Sequence, residues 1–215
     1  MVTLIGHGTR RALMAGLILL LLGALPGQGW GQAATLYFLT IKKGVSDPSA
    51  SGDTLFETLA KDHGPLQDER EVEPVSLELD IYGVSGGRFG LGIGTEVLQY
   101  DDFISLPSGE RVGMRVKGVL FTLKTFLRLG AFFPFVGLGI GNYYANLDLP
   151  GGRSLRDSPD DVFNARAGLR VLLGRLGLLV EVGRTAAQLD VPSLSGPATL
   201  ELGGTYTNVG LSWVF

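Results

Sequence analysis

The chain contains no cysteine. A disulfide-stapled fold is therefore excluded, and so is a lipid anchor attached through cysteine. Histidine is scarce, with only His7 and His63 in 215 residues, so a clustered His/Cys metal site is not expected. A basic excess is missing as well. The formal net charge is −3, which argues against a nucleic-acid partner. Beyond residue 25 no apolar run approaches the ~20 residues that a membrane-spanning helix needs. Yet the mean hydropathy is positive, at +0.27, and glycine is abundant, with 33 residues. Apolar and glycine-rich without long apolar runs is the pattern that alternating strands give.

The one long apolar run lies at the start. Arg10 and Arg11 precede Ala12–Leu25, and Pro26, Gly27, Gly29 and Gly31 then break the run before Ala33 and Ala34. This is the layout of a secretory signal peptide, expected to span residues 1–33. The run is too short for a spanning anchor. Its removal takes two arginines and no acids, moving the net charge from −3 to −5.

From residue 34 onward the chain alternates with a period of two. Eight strands are expected: Thr35–Gly44, Pro74–Tyr82, Arg88–Tyr100, Glu110–Phe126, Phe133–Leu147, Val162–Leu173, Leu178–Gln188 and Thr199–Phe215. The last ends on Leu211-Ser-Trp213-Val-Phe215, an apolar face running to the final residue. An open sheet would leave that strand as a sticky edge. A closed barrel pairs it with the first strand. Connections after the second, fourth and sixth strands are short; those after the first, third, fifth and seventh are longer. The longest, about 45–73, holds a short helical stripe of Leu55, Phe56 and Leu59. Short turns at one end and long loops at the other fit a barrel inserted from the periplasm, with both termini periplasmic and the long loops extracellular.

The two faces differ in chemistry. One carries Glu78, Asp80, Arg88, Glu96, Arg111, Arg115, Lys117, Arg166, Arg170 and Glu181. Facing lipid, each basic member near the midplane would cost about 2–4 kcal/mol. Facing inward, these residues pair. The expected architecture is therefore an all-β, eight-stranded antiparallel transmembrane up-and-down barrel. Eight strands enclose room for side chains only, so a plugged lumen is expected, with glycines making space for long Arg and Glu. Outward aromatics belong at the interfaces: Tyr37, Phe89, Phe126, Trp213 and Phe215 at the periplasmic rim, Tyr144 and Phe163 at the outer rim.

Pro134-Phe-Val-Gly-Leu-Gly-Ile-Gly-Asn-Tyr143 resembles the Pro-Tyr/Phe-x-Gly-x-Gly-x-Gly strand of OmpA/OmpW-type small outer-membrane barrels. Gly168–Val171, Leu178–Glu181 and Gly210–Phe215 follow the same pattern. The resemblance covers the barrel alone, about residues 34–215. It implies the outer membrane of a diderm bacterium, with contact to the bilayer and lipopolysaccharide. It also implies insertion by the barrel-assembly machinery, which would read Leu211, Trp213 and Phe215. No cofactor is implied.

Three functions compete. The leading one is a structural or surface-interaction protein acting through its loops, with an unidentified partner. The second is an OmpW-like conduit for small apolar solutes. The third is a lipid-A-modifying enzyme using His63 with Asp101, Asp102 or Ser105, whose spacing resembles no such motif. The inward charges are read as a static network rather than a gate. The Gly-x-Gly-x-Gly runs at 90–94 and 137–141 have strand spacing, not nucleotide-loop spacing. Loop acids Asp157, Asp160 and Asp161 are read as solvated.

Overall fold

The computed structural model describes residues 34–47, 72–105, 111–149, 152–158, 162–193 and 196–215. The expected signal segment, His63, the Leu55/Phe56/Leu59 stripe, Asp160 and Asp161 lie outside the described residues. The elements are β1 (Ala34–Asp47), β2 (Val75–Ser85), β3 (Phe89–Ser105), β4 (Arg111–Leu127), β5 (Phe132–Leu149), β6 (Arg153–Asp157), β7 (Val162–Leu173), β8 (Leu176–Ala186), β9 (Gln188–Ser193), β10 (Gly196–Glu201) and β11 (Gly204–Val214).

Eight of these close a barrel in the order β4-β3-β2-β1-β11-β8-β7-β5, with β5 pairing back onto β4. Every pairing is antiparallel. The terminal strand pairs with the first, from Phe38↔Val214 to Asp47↔Thr205, so no edge is left open. Carrying each register at its fixed offset, one circuit from Phe89 returns to β3 at Gln99. A stagger of this size over eight strands, at ~3.3 Å per residue and ~4.8 Å between strands, tilts the strands by about 40°.

Three connections are tight turns. Gly86 (φ 59°) and Gly87 (φ 68°) take the central positions of the turn Ser85–Arg88, closed by Arg88 N–H donating to Ser85 O at 3.3 Å, so three residues separate β2 from β3. Both sit in the left-handed region that such a turn demands. At the other end the ladders run further than the sequence alone suggests. The polar stretch after Tyr100 continues as strand to Ser105, opposite Arg111. The connection between β5 and β7 contains β6, which pairs back on β5. Leu189–Ala198, read from the sequence as the connection between the seventh and last strands, belongs largely to the β9–β10 hairpin. Polar residues do not end a ladder whose partner strand continues beside it.

The barrel interior is layered. At the tight-turn end Phe38, Tyr82, Val84, Phe126, Phe133, Phe135 and Leu179 form an aromatic floor. Tyr82 meets Phe126 edge-on at 4.8 Å between centroids, and Phe126 meets Phe133 at 5.3 Å. Such pairs contribute about 0.5–1.5 kcal/mol beyond area burial. At the other end Val72, Leu98, Tyr100, Val116, Leu120, Leu147, Leu189, Leu200 and their neighbours form an apolar cap. The β9–β10 hairpin contributes Leu189 and Leu200, and Tyr100 Oη donates to Leu202 O at 2.7 Å to hold its return. Between floor and cap lies a charged layer. Outside, the wall is apolar: Leu138 is 67% exposed and Leu211 63%.

Candidate functional site

The charged layer is assembled by register. Thr40 and Lys42 point inward from β1, Glu78 and Asp80 from β2, Glu96 from β3, Thr122 and Lys124 from β4. Asn164, Arg166 and Arg170 come from β7, Glu181 from β8, and Asn208 and Ser212 from β11. β5 contributes glycines instead. A Cβ on Gly137 would lie 2.9 Å from Lys124 Cγ and 3.3 Å from Arg166 Cγ. That strand therefore leaves the space these two long side chains cross.

Glu78 stands directly opposite Glu96, and like charges in register repel. Two cations resolve this. Lys42 Nζ lies 3.3 Å from Glu78, 2.7 Å from Glu96 and 3.2 Å from Glu181. Arg166 Nη1 reaches the same three carboxylates at 3.1, 2.7 and 3.5 Å, while its Nε donates to Asn164 Oδ1 at 2.6 Å. Lys124 pairs with Glu78 and Asp80. Arg170 Nη2 donates to Asp80 Oδ2 at 3.2 Å, its Nε donates to Ser212 Oγ at 3.0 Å, and its guanidinium covers the Phe38 ring at 4.1 Å. Ser76 Oγ donates to Glu96 at 2.6 Å and Asn208 Nδ2 to Glu181 at 3.0 Å.

The layer thus holds four cations and four carboxylates, all buried. Balanced, multiply hydrogen-bonded charge is what low-dielectric burial requires. A cavity of about 40 Å³ borders it, lined by Ser76, Glu96, Tyr143, Asn164, Arg166, Tyr206 and others. That is room for a water or a few, not for a solute. Each carboxylate is engaged by a cation, so none is a free general base. Among the described residues no group of three His, Cys, Asp or Glu is placed to hold a metal.

The expected inward set divides. Glu78, Asp80, Glu96, Arg166, Arg170 and Glu181 meet in this layer. Arg88, Arg111, Arg115 and Lys117 do not. Arg88 is exposed in the β2–β3 turn. On β4 the two faces lie opposite to the expectation. Val112, Met114 and Val116 point in, whereas Arg111, Arg115 and Lys117 point out. Arg115 Nε pairs with exposed Asp101 at 2.7 Å, and Arg111 covers the Phe103 ring at 5.3 Å. These positions lie above the apolar band, where outward charge meets water, and the inward face there belongs to the apolar cap. The same parity turns Phe126 inward to the floor, 4% exposed, rather than out to the rim. Tyr37, Phe89, Tyr144, Phe163, Leu211, Trp213 and Phe215 all point outward.

Lys42 and Lys124 are members the sequence reading missed. Lys42 shares the parity of Phe38 and Thr40 against Tyr37, Leu39 and Ile41. Along 119–127 only the even positions, Leu120, Thr122, Lys124 and Phe126, include a charge. That single lysine is the signal that sets the strand's orientation. Several glycines serve rings rather than charges: a Cβ on Gly90 would strike Phe126, and one on Gly168 would strike Phe135.

No protein-family model and no curated sequence matches the chain. Solved structures do. Neisserial surface protein A superposes with a TM-score of 0.53 at 10% identity, over 85% of this chain and 99% of that one. The outer membrane protein OprG from Pseudomonas aeruginosa gives 0.55 at 12% identity, over 86% and 98%. The fold is that of the small outer-membrane β-barrels.

Proposed function

We propose that this protein is a closed outer-membrane barrel whose work is done by its long connections at the cell surface. Both termini then face the periplasm. The charged layer carries this reading: four cations and four carboxylates lie between an aromatic floor and an apolar cap, and such a stack does not pass ions. The apolar outer wall supports lipid contact, since a closed barrel is one of the two folds that satisfy their backbone within hydrocarbon. Phe89 to Val97 rises about 20 Å along the membrane normal at this tilt, close to the ~25 Å apolar band of such barrels. The outward Leu211, Trp213 and Phe215 support a role for the last strand in recognition by the assembly machinery. The first 33 residues would serve export and be removed.

One observation favours the conduit as a second reading. The outer half of the lumen is lined by Leu98, Val116, Leu120, Leu147 and Leu200 rather than by charge, so an apolar solute finds a compatible surface there once the β9–β10 hairpin moves. Planar-bilayer recording with uptake of an apolar solute separates the two. The closed reading expects no single-channel steps and no uptake change on deletion; regular steps or an uptake defect would replace it with the conduit. Lipid A unchanged by mass spectrometry on overexpression is expected of a non-enzymatic barrel.

A further inference from the structure

Each tight turn carries one arginine. Arg88 stands between β2 and β3, Arg128 between β4 and β5, and Arg175 between β7 and β8. All three are exposed. Residues 81–92, 125–136 and 171–179, which build this end of the barrel around the turns, contain no Asp or Glu. At the opposite end two exposed cations have partners, Lys43 in Glu73 at 2.8 Å and Arg115 in Asp101 at 2.7 Å. Arg88, Arg128 and Arg175 form no ion pair among the described residues.

Register says where these arginines point. Arg128 N–H donates to Arg88 O at 2.6 Å, which sets the two opposite each other, two places beyond the inward pair Gly90 and Phe126. Residues two apart on a strand share a face. Arg128 accordingly lies over the Phe133 ring of the aromatic floor, 5.7 Å from its centroid. Val214 N–H donates to Arg175 O at 2.9 Å, so Arg175 stands opposite a residue packed against that floor. The wall at this height belongs to Phe89, Leu127, Phe132 and Leu176, all exposed and apolar. Lipid meets rings and hydrocarbon there, while the guanidiniums belong to the mouth of the lumen. Like charges opposite each other on a ladder are destabilising, and no carboxylate of the turns relieves Arg88 and Arg128. Eight strands ~4.8 Å apart at this tilt make a mouth about 16 Å across between backbones. One small anion does not span three turns spread around it; a chain bearing several carboxylates does.

We propose that Arg88, Arg128 and Arg175 form a docking site at the tight-turn mouth for an acidic peptide segment of a partner protein, its carboxylates on the guanidiniums and the segment seated beneath the aromatic floor. The partner is periplasmic, which rests on the reading that the tight turns face the periplasm. Guanidinium and carboxylate pair through two parallel N–H bonds, and a cluster of one sign steers an oppositely charged chain towards it. The floor closes the lumen above, so the segment docks and does not pass.

The test uses the full chain refolded in phosphatidylcholine nanodiscs, with a fluorescent oligoglutamate peptide as probe, an oligoglutamine peptide as control, and anisotropy as readout. Wild type should bind oligoglutamate, more weakly as salt rises, and should leave oligoglutamine free. Each of Arg88→Gln, Arg128→Gln and Arg175→Gln should weaken binding about two- to fivefold, and the triple variant at least about tenfold. Lys117→Gln, at the opposite end, should stay within about twofold of wild type. Heat-modifiable gel mobility confirms that each variant is folded. A folded triple variant that binds as wild type overturns the site, and an equal loss in Lys117→Gln overturns its location. Native mass spectrometry in discs containing phosphatidylglycerol covers the lipid alternative: arginine-dependent retention of that lipid, with oligoglutamate binding unchanged in the triple variant, would replace the peptide by a headgroup. Orientation is read separately, by labelling Ser154→Cys on whole cells with an impermeant reagent. Oligoglutamate binding without surface labelling would sink the periplasmic placement alone.

Discussion

Replacing Lys42 by methionine removes the ammonium that Glu78, Glu96 and Glu181 share. Its three contacts, at 3.3, 2.7 and 3.2 Å, are each worth about 5 kcal/mol of attraction at an effective dielectric of ~20. Repulsion from Arg166 and the desolvation of the ammonium offset most of that sum. What the mutation exposes is the other side: three cations left facing four carboxylates, with Glu78 and Glu96 opposite each other in register. Breaking a buried pair in this way costs about 3–5 kcal/mol. The paired change Lys42→Met with Glu96→Gln restores the balance at three against three and should recover most of the loss. The assay is urea unfolding of the refolded barrel in micelles, followed by heat-modifiable gel mobility and by fluorescence of Trp213. A single mutant as stable as wild type would refute the reasoning, and so would a double mutant no better than the single.

Four further outcomes follow from the same geometry. Leu138→Arg, on the outward apolar wall, should destabilise the barrel in bilayers by about 2–4 kcal/mol, whereas Lys117→Leu above that band should change its urea midpoint little. Gly168→Ala places a Cβ 2.6 Å from the Phe135 ring and 2.5 Å from Val180 O, so about 1–3 kcal/mol of stability should be lost in the same unfolding assay. Tyr100→Phe removes the 2.7 Å bond to Leu202 O, about 1 kcal/mol, and should speed amide exchange in the β9–β10 hairpin without unfolding the barrel. Deleting Phe215 should lower the amount of protein inserted in the membrane fraction; normal levels would remove the assembly role of the last strand.

The barrel was legible because one face is polar and the other apolar over most strands. β2 and the middle of β3 read correctly, since Glu78, Asp80 and Glu96 alternate with Leu, Ile and Val, whereas Arg88, expected inward, lies in the turn before β3. The fourth strand misled for a physical reason. Its first half stands above the apolar band, where Arg111, Arg115 and Lys117 meet water outside and Val112, Met114 and Val116 pack inside. Alternation there has the opposite sense to the strand's lower half, and a single parity fixed from the first half inverts the whole strand. The layering was not legible either. That charges cluster in mid-barrel while aromatics seal one end and aliphatics the other depends on the stagger of all eight strands, which no single strand encodes. The two lysines missed at the sequence level, Lys42 and Lys124, join the expected Arg166 and Arg170 to bring the layer to four cations against four carboxylates.

The absence of cysteine makes the central claim directly testable, because one introduced thiol is unique. Ser212 is 1% exposed and hydrogen-bonded to Thr40 and Arg170 within the charged layer. In the folded protein, Ser212→Cys should resist a small water-soluble thiol reagent applied from either side, while Ser154→Cys, exposed on β6, reacts at once. Modification of Ser212→Cys at the rate of Ser154→Cys would mean that water reaches the layer freely, and the closed barrel described here would be wrong.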